Sequence, residues 1–533
     1  MPRSSMNLPL IFIKMCRSVG SRSKIADLNS ELTGRGLLIK TLVLRRALLR
    51  ALLADDERCV GLLLPPSVPS AVVNAAIPLC RRVPVNLNYT LSSDVLNHCI
   101  AEAGIRRVLT SRRVMEKLDL KIDAEVVFLE DFREQVTLGD KIIGALQAVL
   151  LPVGLLARHC GIADLSDEDL FTIIFTSGST GEPKGVMLTV GNIGSNIEAV
   201  DKIVHLGQRD VLLGILPFFH VFGYTITLWT VLTLPPKGIY HFSPLEAREV
   251  GKLCARHGAT IVLATPTFLR GYWRRCDASD FEHVDVLVTG AERLPVELAD
   301  AVEEKFGIRP IEGYGTTELS PLSAVNIPPS RARGNPGDGV REGTIGRSIP
   351  GVDAKTVDRE SGEDLPPDSE GMLLFRGPNV MKGYLNDPEK TAAVMRGDWY
   401  TTGDIARIDK DGFIWITGRE SRFSKIGGEM VPHLKIEDAI TELLFGDHDE
   451  EHEKEVVVTA VPDVRKGERI VVLYTQLNQS PEEVCRKLAE SGIPTLWIPS
   501  IDSFHRVDEI PVLGTGKLDL KGLKELALAQ FPV

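Results

Sequence analysis

The chain has 533 residues, too many for one compact core, so two or more domains are expected. Hydrophobic residues make up 44% of the sequence and charged residues 25%, a composition that excludes a disordered or fibrous chain. The net charge of −11 argues against a nucleic-acid-binding protein, because such proteins normally carry a basic face. No stretch reaches the roughly 18 apolar residues of a membrane-spanning helix, so the sequence predicts a soluble protein without a transmembrane segment.

The eight cysteines are scattered along the chain, and none of their spacings is that of a metal site. Several lie in apolar runs, where a reduced and buried thiol is expected. This usage is typical of a reducing compartment, so a cytoplasmic location is predicted.

Near the N-terminus, a short apolar run is followed by a lysine and lacks the cleavage site of a signal peptide. Its apolar residues fall on one helical face: Leu8, Ile11, Phe12, Met15 and Cys16. The pattern predicts a surface helix that docks onto the body of the protein.

The most apolar segment of the chain is Ala145–Ala157, which contains Gln147, Pro152 and Gly154. It is too short and too interrupted to span a bilayer. Peripheral contact with a membrane surface stays open for this segment, but a loop or helix packed on the core is favoured.

Short β-rich runs alternate with helical patterns through most of the chain, which predicts an α/β architecture with mainly parallel sheets. One such pair is Val60–Leu64 followed by Pro69–Cys80, and Ile261–Leu263 and Val284–Val288 are further strand candidates. From about Gly343 glycines recur between short strands, which predicts a small antiparallel barrel-like subdomain.

A second boundary is expected between Gly418 and Ser421. Beyond it, an amphipathic helix begins after Pro432, and two strand candidates follow at Glu455–Val461 and Arg469–Gln476. These elements predict a small α+β domain of a size that can fold independently. The expected division is therefore a large domain over residues 1–420 and a small domain over residues 421–533.

The strongest local motif directly follows the strand-like run Leu170–Phe175. It reads Thr176-Ser177-Gly178-Ser179-Thr180-Gly181-Glu182-Pro183-Lys184-Gly185. Glycines let the backbone N–H groups turn toward an anion, hydroxyl groups add donors, and Lys184 adds positive charge. The motif indicates a phosphate loop, although its spacing is not that of Walker A, and a purely structural turn remains the alternative.

This loop resembles the phosphate loop of the adenylate-forming (AMP-binding) superfamily, which includes acyl-CoA synthetases. Other motifs of that family follow in the expected order: Pro217-Phe218-Phe219-His220, Gly313-Tyr314-Gly315-Thr316-Thr317-Glu318, Tyr400-Thr401-Thr402-Gly403-Asp404, Gly418-Arg419 and Gly514-Thr515-Gly516-Lys517. The resemblance covers roughly residues 20–525. It implies an enzyme that uses ATP and Mg²⁺ to convert a carboxylic acid into an acyl-adenylate and then passes the acyl group to a thiol.

The resemblance also implies roles at the nucleotide. Tyr314 would stack on adenine opposite Gly290 and Ala291, and Thr317 would bind the α-phosphate next to Gly315. Glu318 would hold Mg²⁺, a cation that needs oxygen ligands. Asp404 and Arg419 would contact the ribose. Without the motifs, a core tyrosine, a surface glutamate and a solvated ion pair are the ordinary interpretations of these residues.

For the chemical steps, the resemblance implies that Lys517 offsets the charge of carboxylate attack on the α-phosphorus. His220 would lie at the acyl site, within the apolar surroundings of Phe218–Tyr224, although a core histidine is the alternative. Ser421 would be the hinge of a domain rotation that replaces Lys517 by Lys425 and Gly428 for thiol transfer.

Two stretches, Pro84–Thr90 and Lys425–Val431, are similar to the synthetase half of bacterial acyl-acyl carrier protein synthetase/2-acylglycerophosphoethanolamine acyltransferase. Most of the superfamily has Gly-x-Arg where this chain has Gly428-Glu429-Met430. The likeness implies a long-chain fatty acid as substrate and favours acyl carrier protein as acceptor. CoA as acceptor and a non-catalytic adenylate-binding protein remain the alternatives.

Overall fold

The computed structural model describes residues 6–176, 183–332, 336–426, 429–445, 455–463, 467–491, 493–512 and 518–531. A large N-terminal part built on sheets is followed by a smaller C-terminal part of strands and helices. The predicted α/β class is confirmed.

The strands of the N-terminal part are, in chain order, β1 (Ser23–Ala26), β2 (Glu31–Thr33), β3 (Cys59–Leu62), β4 (Val83–Asn86), β5 (Arg107–Thr110), β6 (Glu125–Phe128), β7 (Leu170–Thr176), β8 (Lys184–Thr189), β9 (Val211–Gly214), β10 (Lys237–Tyr240), β11 (Ile261–Ala264), β12 (Val286–Thr289), β13 (Ile311–Gly315), β14 (Leu322–Val325), β15 (Arg347–Ser348), β16 (Asp353–Val357), β17 (Glu370–Arg376), β18 (Gly383–Tyr384), β19 (Met395–Arg396), β20 (Trp399–Ile408) and β21 (Ile414–Arg419).

Its helices are α1 (Leu8–Val19), α2 (Gly34–Ala51), α3 (Val68–Leu79), α4 (Ser93–Glu102), α5 (Arg112–Met115), α6 (Leu129–Glu134), α7 (Leu138–Leu150), α8 (Val153–His159), α9 (Val190–Val204), α10 (Thr230–Thr233), α11 (Ala247–His257), α12 (Pro266–Arg275), α13 (Val296–Phe306) and α14 (Pro388–Val394). A π-helix, Phe222–Trp229, precedes α10.

Two sheets carry the parallel strands. The larger has the order β15-β14-β13-β12-β11-β9-β10-β1-β2, parallel from β13 to β1 with antiparallel strands at both ends. The other, β4-β3-β5-β6, is parallel throughout. The remaining N-terminal sheets are antiparallel: β18-β8-β7, and β16-β17-β20-β19 with β21 beside β20. The antiparallel unit predicted after Gly343 is confirmed as this last sheet.

Local sequence explains where these elements lie. β11 and β12 are buried along their whole length, as expected for parallel strands covered on both faces. The next helix, α12, begins where the Thr265 hydroxyl accepts a hydrogen bond from the Phe268 N–H and Pro266 occupies the first turn. α9 begins with a capping box between Thr189 and Asn192.

The predicted N-terminal helix is present as α1, but it lies deeper than a surface helix. Leu8, Phe12 and Cys16 are fully buried as expected, whereas Ile11 and Met15 are only partly buried. Contacts with α2, α3, α8 and α10 surround the helix, so it buries more than one stripe of side chains.

The segment Ala145–Ala157 forms the end of α7 and most of α8. α7 packs mainly on α2, so the favoured prediction of a helix packed on the core is confirmed for one of its faces. Within the ranges given above, no helix combines the length and the apolar character needed to cross a bilayer. All eight cysteines are free thiols, and seven of them are buried as predicted.

The C-terminal part contains β22 (Phe423–Ile426), β23 (Glu429–Pro432), β24 (Val456–Asp463), β25 (Gly467–Tyr474) and β26 (Phe504–Arg506), with helices α15 (His433–Phe445), α16 (Pro481–Glu490) and α17 (Leu520–Gln530). The helix predicted after Pro432 is confirmed. Consecutive residues of β24 face opposite sides of its sheet. Val458 packs with Ile436 of α15, and Val457 packs with Leu523 of α17.

Candidate active site

Three neighbouring segments of the large sheet end at the same edge. The chain leaves β9 toward Pro217–His220, β12 is followed by Gly290 and Ala291, and β13 ends at Gly315. The order β9-β11-β12-β13 places these ends side by side. Since ligands of parallel α/β sheets bind at the carboxyl ends of the strands, this edge is the candidate site.

Asp404 joins two of the predicted nucleotide-binding residues. The Tyr314 hydroxyl donates a hydrogen bond to Asp404 Oδ2 over 2.5 Å, and Arg419 Nε donates to Asp404 Oδ1 over 2.7 Å. Asp404 lies opposite Arg419 in the register of β20 and β21, so the sheet itself sets this ion pair. The neighbouring Asp404 carboxylate raises the pKa of Arg419. A carboxylate has about four lone-pair positions, so Asp404 retains acceptor capacity beyond these two bonds.

One face of the Tyr314 ring is covered by another aromatic ring. Phe375 stacks on it with ring centroids 5.8 Å apart and an interplanar angle of 25°. Burial raises the pKa of Tyr314 well above its usual value, so its hydroxyl stays a donor. The other face of the ring is the one on which a planar base can stack.

Close packing requires glycine at position 315 and leaves little room for a side chain at Gly290. A Cβ on Gly290 would lie 3.2 Å from the carbonyl oxygen of Gly313, and one on Gly315 would lie 2.0 Å from the carbonyl oxygen of Pro321. Ala291 has a φ of +72°, a backbone conformation that residues other than glycine rarely adopt. The chain therefore makes a tight turn at the carboxyl end of β12, next to the strand that carries Tyr314.

Glu318, the predicted Mg²⁺ ligand, is held by Tyr384. The Tyr384 hydroxyl donates to Glu318 Oε1 over 2.8 Å, and the ammonium of Lys184 lies 5.2 Å from the centre of the Tyr384 ring. Burial, followed by the charge of Glu318, raises the pKa of Tyr384. Burial likewise raises the pKa of Tyr400, which the charge of Glu318 raises further. Tyr384 therefore connects the end of the predicted phosphate loop with the predicted metal ligand.

The predicted phosphate loop lies between two paired strands. Thr176 is the last residue of β7 and pairs in register with Lys184, the first residue of β8. The central loop residues Ser177, Gly178, Ser179, Thr180 and Gly181 lie outside the described residues. Thr317, the predicted α-phosphate ligand, begins the short 3-10 turn Thr317–Leu319, which starts two residues after the end of β13.

His220 lies two residues before the π-helix Phe222–Trp229. Its ring packs against Phe219 with centroids 4.6 Å apart, and Phe219 makes an edge contact with Tyr89 at 4.7 Å. Gly223 lets the helix approach the preceding segment, because a Cβ there would lie 2.2 Å from the carbonyl oxygen of Pro217. π-Helical segments are rare in proteins and are found frequently at functional sites.

Directly behind this edge lies a cavity with a free volume of about 50 Å³ and an entirely apolar lining. Phe222 lines it and also lies next to Gly290, since a Cβ on that glycine would be 3.5 Å from its ring. The other walls come from α9, the π-helix, the strands β9, β11, β12 and β14, and nearby residues: Val200, Ile203, Val204, Leu206, Leu212, Ile226, Ile261, Leu263, Val286, Val288, Leu322, Val325 and Pro328. The cavity therefore shares a wall with the site that Tyr314 borders.

Four sequence predictions concern the C-terminal part. Lys517 and Gly428 lie outside the described residues. Lys425 is on β22, in register with Met430 of β23, and its side chain is outside the described atoms. Ser421 is in the short turn Glu420–Arg422 between β21 and β22, which is the connection between the two parts of the chain.

Tyr384 contacts Glu318 but belongs to none of the motifs recognised in the sequence. The two residues are 66 positions apart, and no local pattern links them. The motif Tyr400–Asp404 predicts a role only for Asp404, yet Tyr400 also lies close enough to Glu318 for that charge to raise its pKa. The aromatic residues near His220 predict apolar surroundings for the acyl site, but they do not predict the other walls of the cavity.

The overall fold is that of known adenylate-forming enzymes. The structure of ATP-bound MatB from Rhodopseudomonas palustris superposes with a TM-score of 0.79 at 24% identity, covering 98% of this chain and 99% of that chain. The o-succinylbenzoate–CoA synthetase MenE from Bacillus subtilis, in complex with ATP and magnesium ion, gives a TM-score of 0.77 at 19% identity, covering 96% and 98%.

The chain belongs to the AMP-binding enzyme family, whose model matches residues 19–385. Among its relatives, a long-chain-fatty-acid–CoA ligase of Bacillus subtilis (strain 168) is 32% identical over 372 residues, which are 67% of this chain and 62% of the relative. A 4-coumarate–CoA ligase of Pinus taeda is 26% identical over 440 residues, or 80% of this chain and 77% of the relative. The match thus spans about three fifths of the length of the Bacillus relative.

Proposed function

We propose that this chain is an ATP-dependent acid–thiol ligase that converts a fatty acid into an acyl-adenylate with release of pyrophosphate and then transfers the acyl group to a thiol. The observation that carries the proposal is the apolar cavity lined by Phe222, whose ring lies next to Gly290. It would place an aliphatic chain next to a nucleotide bound at the sheet edge, so that a carboxylate could reach the α-phosphorus.

The nucleotide would lie along the contacts already described. Tyr314 offers a stacking face for adenine, and the tight turn at Gly290 and Ala291 forms the opposite wall. Asp404 is fixed by its two donors and can accept hydrogen bonds from the ribose hydroxyls. Arg419 supports the same sugar. The loop from Thr176 to Lys184, together with Thr317, would surround the phosphates.

The residues around Glu318 fit Mg²⁺. No cluster of three or more His, Cys, Asp or Glu side chains that could hold a metal by itself occurs in the described part of the chain. This agrees with Mg²⁺ chemistry, because that ion usually takes one or two carboxylates and completes its shell with phosphate oxygens and water. When bound, the ion would neutralise phosphate charge. The Tyr384 hydroxyl occupies one oxygen of Glu318, and the other oxygen would hold the ion.

Replacing Tyr384 by phenylalanine tests this positioning role. The Tyr384→Phe variant keeps the ring beside Lys184 but loses the hydrogen bond to Glu318. Loss of a hydrogen bond to a charged group corresponds to about 1.5–3 kcal/mol, so the Mg²⁺ concentration for half-maximal rate should rise roughly tenfold or more. Steady-state rates against Mg²⁺ at saturating ATP measure the effect.

The matched control is Tyr272→Phe, which removes a hydroxyl that donates to the Pro244 carbonyl. It should leave the Mg²⁺ dependence unchanged even if it lowers the melting temperature. Equal Mg²⁺ curves for Tyr384→Phe and the unmodified protein would show that Tyr384 does not position Glu318.

The two chemical steps are proposed to use two arrangements of the domains. The large domain, residues 1–420, would hold the nucleotide and the acid, while the small domain, residues 421–533, would first supply Lys517. Rotation at Ser421 would then withdraw Lys517 and bring Lys425 and Gly428 to the thiol. The position of Ser421 in a short turn between β21 and β22 supports this hinge, because few backbone angles need to change there.

The acid is proposed to be a fatty acid with a long chain. The lining of the cavity is apolar throughout, and the name of the Bacillus relative supports the same class of substrate. Ligand pockets usually enclose roughly 300–1,000 Å³, so the lining side chains must separate to admit a long chain.

For the acceptor, the names of the relatives support CoA. Acyl carrier protein is the second candidate, because Gly428-Glu429-Met430 departs from the Gly-x-Arg common in the superfamily. Carrier protein is acidic, and the net charge of −11 makes a local basic docking surface necessary for it.

One set of assays tests the activity and the acceptor together. Pyrophosphate release and acyl-thioester formation are measured with ATP, Mg²⁺ and a series of fatty acids, with either CoA or holo-acyl carrier protein as acceptor. Fatty-acid-dependent release of pyrophosphate is expected, followed by acylation of CoA. Acylation of carrier protein alone would reverse the choice of acceptor, and no fatty-acid-dependent release of pyrophosphate would refute the ligase proposal.

A further inference from the structure

The helix α7 has an unusual distribution of side chains. Its buried face consists of Asp140, Gly144 and Ala148, spaced four residues apart. Gly144 packs directly on α2, because a Cβ there would lie 2.7 Å from Val43 Cγ2 and 3.0 Å from the Val43 backbone nitrogen. Small residues thus fix how the helix lies on the core, and this close approach prevents the helix from turning its larger residues inward.

The large aliphatic residues of α7 face solvent instead. Leu138, Ile142, Leu146 and Val149 follow a spacing of three or four residues, which places them on one side of the helix. With Leu150 and with Leu155 of α8, their exposed fractions range from 50% to 71%. Contiguous apolar patches larger than a few hundred Å² are rare on soluble monomers and mark interaction surfaces. We call these six residues the α7–α8 apolar face.

The charged groups around this face are mainly basic, although the whole chain carries −11. Lys141 and Arg158 are exposed on α7 and α8 themselves. The carboxylate of Asp140 is neutralised by Arg50 at 2.8 Å and Arg46 at 3.8 Å.

The neighbouring helices extend the same pattern. Arg17 of α1 donates to the carbonyl oxygens of Gln147 and Leu151 at the α7–α8 junction. The preceding helix α6 carries three exposed acidic residues, Glu130, Asp131 and Glu134, and Asp131 is paired with Arg112. An apolar stripe flanked by basic side chains is complementary to a surface that is apolar inside and negatively charged at its boundary.

We propose that the α7–α8 apolar face docks onto an anionic lipid bilayer, with α7 lying in the plane of the interface. The aliphatic side chains enter the boundary of the acyl chains, and Lys141 and Arg158 contact the headgroup phosphates. A second copy of the chain fits the surface less well, because it would bring two basic rims together.

Flotation with lipid vesicles tests the docking. The full chain is mixed with vesicles of phosphatidylcholine alone or with vesicles in which about a third of the lipid is phosphatidylglycerol, a fraction that gives the surface its negative potential. We expect binding to the anionic vesicles, weaker binding at high salt and little binding to the neutral ones. No ATP, fatty acid or thiol is present, so the outcome is independent of the proposed ligase activity.

Two double variants separate the apolar and the charged contributions. Ile142→Gln with Leu146→Gln should lower the vesicle partition coefficient at least about tenfold, because two anchoring side chains are lost. Lys141→Ala with Arg158→Ala should lower it roughly thirtyfold on anionic vesicles and little on neutral ones. All four residues are exposed or at least half exposed, so the fold should tolerate these changes, and the melting temperature verifies this.

The matched control is Leu245→Gln with Val296→Gln, which alters two exposed apolar residues (70% and 51%) outside this face. It should float like the unmodified protein. The proposal is overturned if the unmodified protein fails to float with anionic vesicles or if the Ile142/Leu146 variant floats equally well. A dimer in sedimentation that this variant dissociates, without vesicle binding by either protein, would identify the surface as an interface between copies instead.

Discussion

Lys517→Ala is expected to slow fatty-acid-dependent pyrophosphate release about a thousandfold while acyl transfer from supplied acyl-adenylate continues. Attack of a carboxylate on the α-phosphorus brings two negative groups together, and a lysine ammonium about 4 Å away contributes roughly 4 kcal/mol at an effective dielectric constant near 20. That energy corresponds to about three powers of ten in rate. Single-turnover assays of the two half-reactions measure each step separately.

The matched control for this prediction is Lys521→Ala. Lys521 is an exposed lysine in the first turn of α17 that pairs with Glu525 at 3.7 Å, so its removal should change neither half-reaction. Replacing Gly428 with a bulky residue should give the reverse pattern, with enzyme-bound adenylate accumulating because thiol transfer is blocked. If Lys517→Ala slows both steps equally, the assignment of two domain arrangements is wrong.

The fold was predictable to the extent that local patterns determine it. Buried parallel strands such as β11 and β12 are continuous apolar runs. Thr265 and Pro266 are residues typical of a helix start, and α12 begins there. The carboxyl ends of parallel strands lie at one edge of the sheet, so the motifs that carry Gly290 and Tyr314 come together at that edge. These features depend on residues that are near one another in the sequence.

The rest of the site depends on contacts that local patterns do not contain. Glu318 and Tyr384 are joined only because β18 pairs with β8, which brings residue 384 beside the strand that begins at Lys184. The apolar cavity is assembled from residues between Val200 and Pro328 on several different elements. A single sequence shows that these residues are apolar but not that they border one space.

The segment Ala145–Ala157 is a second case in which local sequence does not determine the contacts. Its apolar character correctly indicated helices packed on the body, yet composition could not indicate which face is buried. The close approach of Gly144 to Val43 decides this, and it leaves Leu146 and Val149 outside. Hydrophobicity therefore predicted burial for residues that the packing of α7 places in solvent.

Asp404→Asn is expected to raise the KM for ATP roughly tenfold to a hundredfold. The amide removes the negative charge that pairs with Arg419 and can accept through only one of its two polar atoms, so either Tyr314 or Arg419 loses its partner. Hydrogen bonds to charged groups contribute about 1.5–3 kcal/mol each, which corresponds to roughly one to two powers of ten in affinity. Equilibrium binding of ATP, measured beside steady-state kinetics, gives the effect directly.

Two further variants show which contacts of Asp404 cause the expected loss of ATP affinity. Tyr314→Phe keeps the stacking ring and removes only the hydroxyl. It loses one hydrogen bond to a charged group, so ATP affinity should fall roughly tenfold. Asp368→Asn removes an exposed carboxylate that pairs with Arg407 of the same strand as Asp404, and it should leave ATP binding unchanged. A fall in melting temperature for Asp404→Asn with no change in ATP affinity would mean that Asp404 only stabilises β20 and β21. Weaker ATP binding at an unchanged melting temperature would instead require that Asp404 acts on the nucleotide.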